Sequence, residues 1–412
     1  MTHRFFKSVL CSLTIMLLCA CPKAPEPKNE NENLPAPPTK VLDYLSLSVQ
    51  YMMNQQKNDG FFNYEYNFIT GNYTNWDNVI HQTRAGYVLA KYYSFLIRNN
   101  IDPAVAPVVR ESVAKALNAY VSASLSHQNM PGQLISFYYN KGGSIMLPPL
   151  RAEAASEEQK KQRLNAEVAA TAFALLAEIT YWEATSDATF APDREKWRDA
   201  LAFHLNDCLK HPSDKSFFQP EAWLALAVYN VFFPKDKEIN DLMLKTDEAY
   251  TGKYRPIRDI RDYSWDMAAA YIRYQKTKNS YLINFTVKQT SLLLNDIYTQ
   301  HDTAVNSCSL AYGLADASLI LAKDPSFSRL EKTALGRSQL EYYSSLKYML
   351  LPEQTWISLG PGRTLHSQDF KKFAGAYIYG QHSPRTSLEL SEMCILTGMR
   401  SSNEDIQELK QP

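Results

Sequence analysis

The chain has 412 residues, a hydrophobic content of 45% and equal numbers of acidic and basic residues, so its formal net charge is zero. This balance gives no basic field for nucleic acid and no acidic excess typical of a solvated tail. The composition allows one large core, and the 26 Tyr and 6 Trp provide apolar ring faces with polar edges, which suit either helix packing or sugar rings.

The N-terminus has the parts of a secretory signal: a basic start, an apolar run from Val9 to Leu18, and small residues after it. The run Leu18-Cys19-Ala20-Cys21 resembles a bacterial lipobox, which implies cleavage before Cys21 and lipid attachment to its sulfur. Pro22 at the next position favours the outer membrane, periplasmic face. We therefore expect a signal peptide over 1–20, a lipid-anchored tether over 21–40 and one domain over 41–412.

The tether carries six prolines between Pro22 and Thr39 and almost nothing to bury, which predicts a stiff, extended segment. Beyond Cys21, the later cysteines are Cys208, Cys308 and Cys394, without CxxC spacing. A metal site is not expected, and at most one disulfide can form. The default expectation is three separate buried thiols that pack as small hydrophobic groups.

Apolar periodicity and Gly/Pro punctuation predict twelve helices from residue 40 onward. Helices that are apolar all round alternate with helices that have one charged face, which places six inner helices inside six outer ones. Short antiparallel connections then make the inner helices parallel, as in an all-α (α/α)6 toroid. The predicted helices span 41–56, 77–98, 103–126, 164–184, 192–211, 219–233, 237–250, 262–276, 280–299, 304–322, 327–348 and 384–398.

Loop lengths predict which end of this toroid carries a site. Three connections that enter inner helices are long, at 57–76, 127–163 and 349–383, whereas those that leave them are short. Long loops in a compact domain are usually functional. The second loop also predicts a small β-hairpin that turns at Asn140-Lys141-Gly142-Gly143. The candidate site therefore lies where the inner helices begin.

The stretch from Asp59 to Gly86 is an aromatic run that leads into the second helix. We interpret it as one wall of a cleft, although core packing is the more common role of such rings. The polar residues at the helix entrance are expected to face inward. The predicted stacking rings are Phe62, Tyr64, Tyr66 and Trp76, and the predicted polar contacts are Asn78, His81 and Gln82.

Carboxylates at other helix entrances are candidates for acid–base chemistry. Glu221 follows two phenylalanines and a proline, so it is either a desolvated proton donor or an acid that complements the helix dipole. Asp262 and Asp266 flank Trp265, which could stack on a sugar, and Asp262 could equally be an N-cap. Glu167 is either catalytic or part of a cap at Asn165.

The pattern resembles bacterial six-hairpin glycosidase-like and epimerase-like toroids. The matching pieces are Gly60-x-Phe62-x-Tyr64-x-Tyr66, Asn78-x-x-His81-Gln82, the run 219–226, the run 265–274 and Tyr312-Gly313-Leu314-Ala315. In such relatives the position of His81 is often Arg, and Arg-x-Asp-x-x-Gln-His opens the last inner helix. Here the corresponding run from Arg385 to Glu392 keeps the Arg, a candidate for substrate binding, but lacks the Asp and the Gln-His pair.

We therefore expect a lipid-anchored envelope enzyme that binds carbohydrate, most simply a glycosidase that uses Glu221 with Asp262 or Asp266. A non-catalytic glycan-binding or assembly protein is the alternative, and a sugar epimerase that uses His81 is the third. Six parallel helix N-termini at one mouth favour an anionic glycan. No metal, cofactor or nucleic-acid partner is expected, since neither HExxH spacing nor a phosphate-binding glycine loop occurs.

Overall fold

A computed structural model describes residues 40–74, 77–139, 145–146, 157–210, 220–252, 260–296, 304–380 and 382–402. Twelve α-helices lie within these ranges, as predicted. The outer helices are α1 (Val41–Asn54), α3 (Ala106–Ser122), α5 (Ala191–Lys210), α7 (Lys237–Gly252), α9 (Ser280–Asp296) and α11 (Ser328–Ser345). The inner helices are α2 (Val79–Asn99), α4 (Glu157–Thr185), α6 (Pro220–Phe232), α8 (Ile260–Thr277), α10 (Ala304–Leu321) and α12 (Leu388–Ser401).

The inner helices form a closed ring. They pack in the order α2, α4, α6, α8, α10 and α12, and α12 packs back against α2. Each outer helix packs against inner helices from outside, and α1 covers α12. This arrangement confirms the predicted (α/α)6 toroid.

Burial follows the predicted division into inner and outer helices. On α4, every side chain from 167 to 179 is buried, because neighbouring helices cover it on all sides. On α11, Ala334, Ser338 and Tyr342 are buried, four residues apart, while Leu340 is 58% exposed. A spacing of four residues places these side chains on one face of a helix, so α11 contacts the ring with a single stripe.

Close packing against the inner ring depends on small residues at particular points. A Cβ at Gly86 on α2 would lie 2.3 Å from the Tyr120 hydroxyl of α3. That hydroxyl donates to the backbone carbonyl of Gln82 at 2.6 Å. Glycine at 86 therefore lets a buried tyrosine reach the backbone of α2.

The long connections 55–78, 123–156 and 346–387 enter α2, α4 and α12, as predicted. We call this end of the ring the mouth. Its first and last loops are joined by a three-stranded antiparallel sheet of β1 (Glu65–Asn67), β2 (Asn72–Tyr73) and β9 (Arg385–Ser387), with Glu65 opposite Ser387. The sheet therefore joins the first and last loops at the mouth, just as the packing of α12 against α2 joins the first and last inner helices.

Three two-stranded antiparallel sheets complete the loops. The predicted hairpin is confirmed by the pairing of Tyr138 with Met146 and Tyr139 with Ile145, while its turn at 140–143 lies outside the described residues. The strands are β3 (Ser124–Leu125), β4 (Leu134–Ile135), β5 (Tyr138–Tyr139), β6 (Ile145–Met146), β7 (Trp356–Ser358) and β8 (Thr364–His366).

The start of α4 differs from the prediction. The helix begins at Glu157 and not near residue 164, so the proposed cap at Asn165 is wrong and Glu167 lies inside the helix. Its carboxylate is buried and accepts hydrogen bonds from Ser136 Oγ at 2.6 Å and Arg163 Nε at 3.0 Å. The early turns are polar, which is why apolar periodicity did not reveal them.

The expectation of three separate thiols is also wrong. Cys308 on α10 and Cys394 on α12 form a disulfide, with their Cα atoms 4.9 Å apart. Cys208 remains a buried thiol, with its sulfur 3.5 Å from His204 Nε2. The disulfide joins two neighbouring inner helices, so it fixes α12 within the ring.

The predicted signal peptide, Cys21 and nearly all of the tether lie outside the described residues. Among the helices that are described, none combines the length and the apolar character needed to cross a membrane.

Candidate active site at the mouth of the ring

A buried ionic cluster lies where α12 begins beside α2. Glu392, in the second turn of α12, is fully buried. Its Oε2 accepts a hydrogen bond from Arg84 Nε and lies 2.9 Å from His81 Nδ1. A buried carboxylate is stable only when it is paired in this way. The cluster therefore fixes α12 to α2 directly below the mouth.

His81 contacts two charged side chains through Nδ1. This nitrogen lies 2.9 Å from Glu392 Oε2 and 2.6 Å from Arg84 Nη2, and its tautomer decides whether it donates to Glu392 or accepts from Arg84. Nε2 lies 3.6 Å from Glu389 Oε1. The His81 ring is therefore held by contacts at both of its nitrogens.

Glu389 is the part of this cluster that reaches the surface. Its side chain is 15% exposed, and it lies in the first turn of α12. Oε1 is 3.3 Å from Arg261 Nη1, and Oε2 accepts from the Tyr64 hydroxyl at 3.4 Å. Glu389 is therefore a carboxylate held between helices α2, α8 and α12 and open to solvent.

Electrostatics keep the Glu389 carboxylate ionised. Burial alone raises its pKa, but the positive charges of His81, Arg84 and Arg261 and the Tyr64 hydrogen bond outweigh burial, so the net pKa is lowered. Burial, and then the Glu389 charge, raise the pKa of the Tyr64 hydroxyl, which therefore remains a donor. At neutral pH Glu389 can act as a base or nucleophile.

Aromatic rings fill the ring axis below this cluster. The Arg84 guanidinium lies 5.8 Å from the ring centroids of both Phe173 on α4 and Trp265 on α8. The two rings are 5.0 Å apart, and Tyr312 on α10 is 5.8 Å from Trp265. Trp265 is only 1% exposed, so it forms the core of the site and does not offer an open face for a sugar.

Two of the predicted polar residues, Gln82 and Asn78, form hydrogen bonds with backbone groups of the chain. Gln82 is fully buried; its Oε1 accepts from the Phe62 amide at 2.7 Å, and its Nε2 donates to the Phe62 carbonyl at 2.9 Å. Asn78 caps α2, because its side chain accepts from the Ile80 amide at 2.9 Å. Of the three predicted inward-facing residues on α2, only His81 joins the cluster.

The predicted aromatic wall is divided between core and site. Phe62 is fully buried, and Tyr66 is 7% exposed with its ring centroid 4.3 Å from that of Phe373. Tyr64 is the exception: it is partly exposed, and its ring lies 5.5 Å from the His81 ring. Trp76 lies outside the described residues. The wall therefore contributes Tyr64 to the site.

The predicted carboxylates lie at the mouth on other helices. Glu221 is in the first turn of α6, and Asp262 is in the first turn of α8. Asp266 follows one turn later and is 8% exposed. Arg385 is exposed on the rim, with Nη1 3.6 Å from Glu65 Oε1.

Sequence reasoning missed Glu389, Glu392 and Arg84. The available signal was an acidic pair three residues apart in the first two turns of an inner helix, which places both carboxylates on one face. Although the cluster contains a histidine and two carboxylates, no three such side chains among the described residues are placed to hold a metal ion.

Neither a protein-family model nor a curated protein sequence matches the chain. Solved structures do match its fold. An unsaturated glucuronyl hydrolase specific for heparin is 10% identical, with a TM-score of 0.53, and the match covers 89% of this chain and 98% of that one. An endoglucanase from the termite Nasutitermes takasagoensis is 13% identical, with a TM-score of 0.52 and coverage of 88% and 98%.

A GH76 α-mannanase from Bacteroides thetaiotaomicron is 10% identical, with a TM-score of 0.52, and the match covers 90% of this chain and 98% of that one. Identities at this level establish the fold alone. The chain thus shares the (α/α)6 toroid fold of these solved glycoside hydrolases, which is the fold that the resemblance in its sequence implied.

Proposed function

We propose that this protein acts on carbohydrate at the mouth of the ring, as a glycosidase that cleaves an anionic polysaccharide. The toroid is shared with glycoside hydrolases of different substrates, so the fold supports the class of ligand and not its identity. The long loops that enter α2, α4 and α12 provide a rim on which a polymer could lie.

The observation that carries the proposal is the ionised, partly exposed carboxylate of Glu389. Glycoside hydrolysis needs one carboxylate as base or nucleophile and a second carboxyl group as proton donor. The lowered pKa of Glu389, which persists because His81, Arg84 and Arg261 outweigh the effect of burial, suits the first role. In this proposal the donor is Asp266 or Glu221, with Asp262 as a further candidate on α8.

The charges at the mouth favour an anionic substrate. Arg261 and Arg385 have side chains that are 51% and 48% exposed. The N-termini of the six inner helices add partial positive charge at the same end. A uronate or sulfate on the polymer would gain from both, whereas a neutral polymer would not.

The test is product release from a panel of acidic and neutral polysaccharides by the fragment from Lys40, followed by mass spectrometry. We expect cleavage of an acidic polymer, and a loss of roughly 10²- to 10⁴-fold for Glu389→Gln, the range typical of one acid–base group. Glu353→Gln is the matched control, because Glu353 is 71% exposed and pairs only loosely with Lys371 at 3.7 Å. Full cleavage by Glu389→Gln would rule out this role.

A glycan-binding protein is the second candidate, and one observation favours it. Both nitrogens of His81 face carboxylates of the chain itself, at 2.9 Å and 3.6 Å, so His81 is already engaged without a ligand. Glycan binding that survives Glu389→Gln, with no product from any polymer, would support it. Interconversion of a sugar without cleavage, abolished by His81→Gln, would instead assign an epimerase.

We further propose that the chain is anchored in the cell envelope through lipid on Cys21. Besides the lipobox, the Cys308–Cys394 disulfide supports an extracytoplasmic location, because such bonds persist mainly in oxidising compartments. Cys21→Ser should move the protein from the membrane fraction to the soluble fraction and abolish labelling by radioactive palmitate. Retention of both properties would contradict the proposal.

A further inference from the structure

A cavity lies at the end of the ring opposite the mouth. It has a volume of about 300 Å³ and lies between the C-terminal halves of α2 and α12, with Tyr312 of α10 forming part of its wall. A volume near 300 Å³ is at the lower end of small-molecule sites. The cavity opens to solvent beside Arg98, whose side chain is 60% exposed.

The cavity wall has one cationic side and one apolar side. Lys91, Arg98 and Arg400 supply the charge, and Phe95, Leu396 and Met399 supply apolar surface. Among the described residues, no carboxylate lines it. Such a wall suits a ligand with an acidic group at one end and a ring or short aliphatic body at the other.

Two of the three cations are already paired behind the wall. Arg400 Nη2 lies 2.7 Å from Asp316 Oδ1, and Arg98 Nη2 lies 2.8 Å from Glu183 Oε2. For Lys91, the part of the chain that the structure describes places no carboxylate within ion-pair distance. Burial, and then the charges of Arg400 and Arg98, lower the pKa of Lys91 to about 8.

Helix dipoles do not account for Lys91. Basic residues in the last turn of a helix complement its negative end, and this explains Arg98 near the end of α2 and Arg400 near the end of α12. Lys91 lies about two turns before the end of α2, beyond the range of that effect. The Lys91 side chain is partly buried, and an ammonium that loses part of its hydration is costly unless something pairs with it.

We infer that this cavity binds a small organic anion about the size of one sugar acid. Its acidic group would lie against Lys91, between Arg98 and Arg400, and its body would pack on Tyr312 and Met399. The anion supplies the counter-charge that Lys91 lacks in the protein. This site is separate from the mouth and does not depend on the proposed glycosidase activity.

The first experiment measures protection of Lys91 in the full-length protein. At pH 8 a large share of Lys91 is uncharged, so an amine-acylating reagent should modify it before exposed lysines, as mapped by mass spectrometry. We expect D-glucuronate to slow this modification at least tenfold and D-glucose to leave it unchanged. Equal effects of the acid and the neutral sugar, or no protection by glucuronate, would overturn the inference.

The second experiment measures glucuronate binding by calorimetry. Lys91→Met keeps the length of the side chain and removes its charge, and we expect it to weaken binding at least tenfold. Lys245→Met, at an exposed position on α7, is the matched control and should bind as the wild type does. Arg261→Met should also leave binding at this cavity intact. Unchanged binding in Lys91→Met, or its loss in Arg261→Met alone, would place the anion at the mouth and overturn the inference.

Discussion

The regions around the two ends of α12 each contain three basic side chains and two carboxylates, but these groups are paired differently. At the mouth, the carboxylates Glu389 and Glu392 contact His81, Arg84 and Arg261. At the rear, the carboxylates Asp316 and Glu183 lie near Arg400, Arg98 and Lys91, but only the two arginines are paired with them. Among the described residues, each of the three basic side chains thus has a carboxylate partner at the mouth, whereas Lys91 has none within ion-pair distance at the rear.

Similar charged groups therefore serve different purposes at the two ends. A connected cluster holds its members in fixed positions, so the mouth can present Glu389 with its charge and orientation set in advance. An incomplete cluster has a charge that a ligand can neutralise. The rear cavity, with Lys91, is therefore the part that we infer to bind an anion. Four experiments test whether the two ends differ in this way.

The largest effect is expected from Glu392→Gln. This change leaves the Arg84 charge buried without its main partner, so the free energy of unfolding should fall by about 3–5 kcal/mol in a denaturant titration. Adding Arg84→Met removes that charge and should recover part of the loss. A loss below about 1 kcal/mol would mean that the mouth cluster behaves like an exposed pair.

Removal of the disulfide should cost nearly as much. The double variant Cys308→Ala/Cys394→Ala loses a link between α10 and α12, and we expect about 2–4 kcal/mol less stability in the absence of reductant. Cys208→Ala is the control: it keeps the disulfide, so it should lose stability on reduction as the wild type does, whereas the double variant should be insensitive to reductant. An unfolding midpoint of the wild type that does not change after complete reduction would show that packing alone holds α12 at both ends.

Asp316→Asn tests the rear pair and should cost less. Asp316 is fully buried, but its partner Arg400 has a side chain that is 35% exposed, so water can partly replace the lost carboxylate. We expect a loss of about 1–3 kcal/mol. Asp316 also raises the pKa of Lys91, so the variant should make Lys91 more reactive toward acylation. A loss as large as that of Glu392→Gln would remove the contrast between the two ends.

The smallest effect is the pH dependence contributed by Glu389. Its folded pKa is lowered, so its stabilising effect is complete above the ordinary glutamate value of 4.5 and is lost as the pH falls below that value through the folded pKa. The wild type should exceed Glu389→Gln by about 0.5–1.5 kcal/mol at pH 7, and the difference should vanish in acid. A difference that grows toward low pH would contradict the cationic environment of Glu389.

The sequence predicted the architecture because helix burial leaves a periodic record. The run 167–179 is buried on all sides and has almost no polar stripe, while α11 keeps one buried stripe, so inner and outer helices could be told apart. The long loops then indicated the mouth. The start of α4 was missed because the sequence of its first turns is polar and shows no apolar period.

The site was only partly predictable, because ionic partners come from distant parts of the chain. His81 and Tyr64 were predicted, but Glu392 contacts His81 across 311 positions of sequence, and a buried glutamate at a helix start looks like a dipole acid. Likewise, aromatic composition could not separate Tyr64, which lines the site, from Phe62, which is core. In the same way, the positions of the three cysteines did not indicate which two form the disulfide.

Buried aromatic side chains and Arg84 occupy the centre of the ring, as described above. Side chains from four of the inner helices meet at its centre, where Phe173, Trp265 and Arg84 are all 2% exposed or less. If a polymer binds at the mouth, as proposed above, these side chains would prevent it from passing through the centre of the ring. A ligand released from the mouth would leave past the same loops by which it entered. A ligand in the rear cavity would be separated from it by the buried centre of the ring.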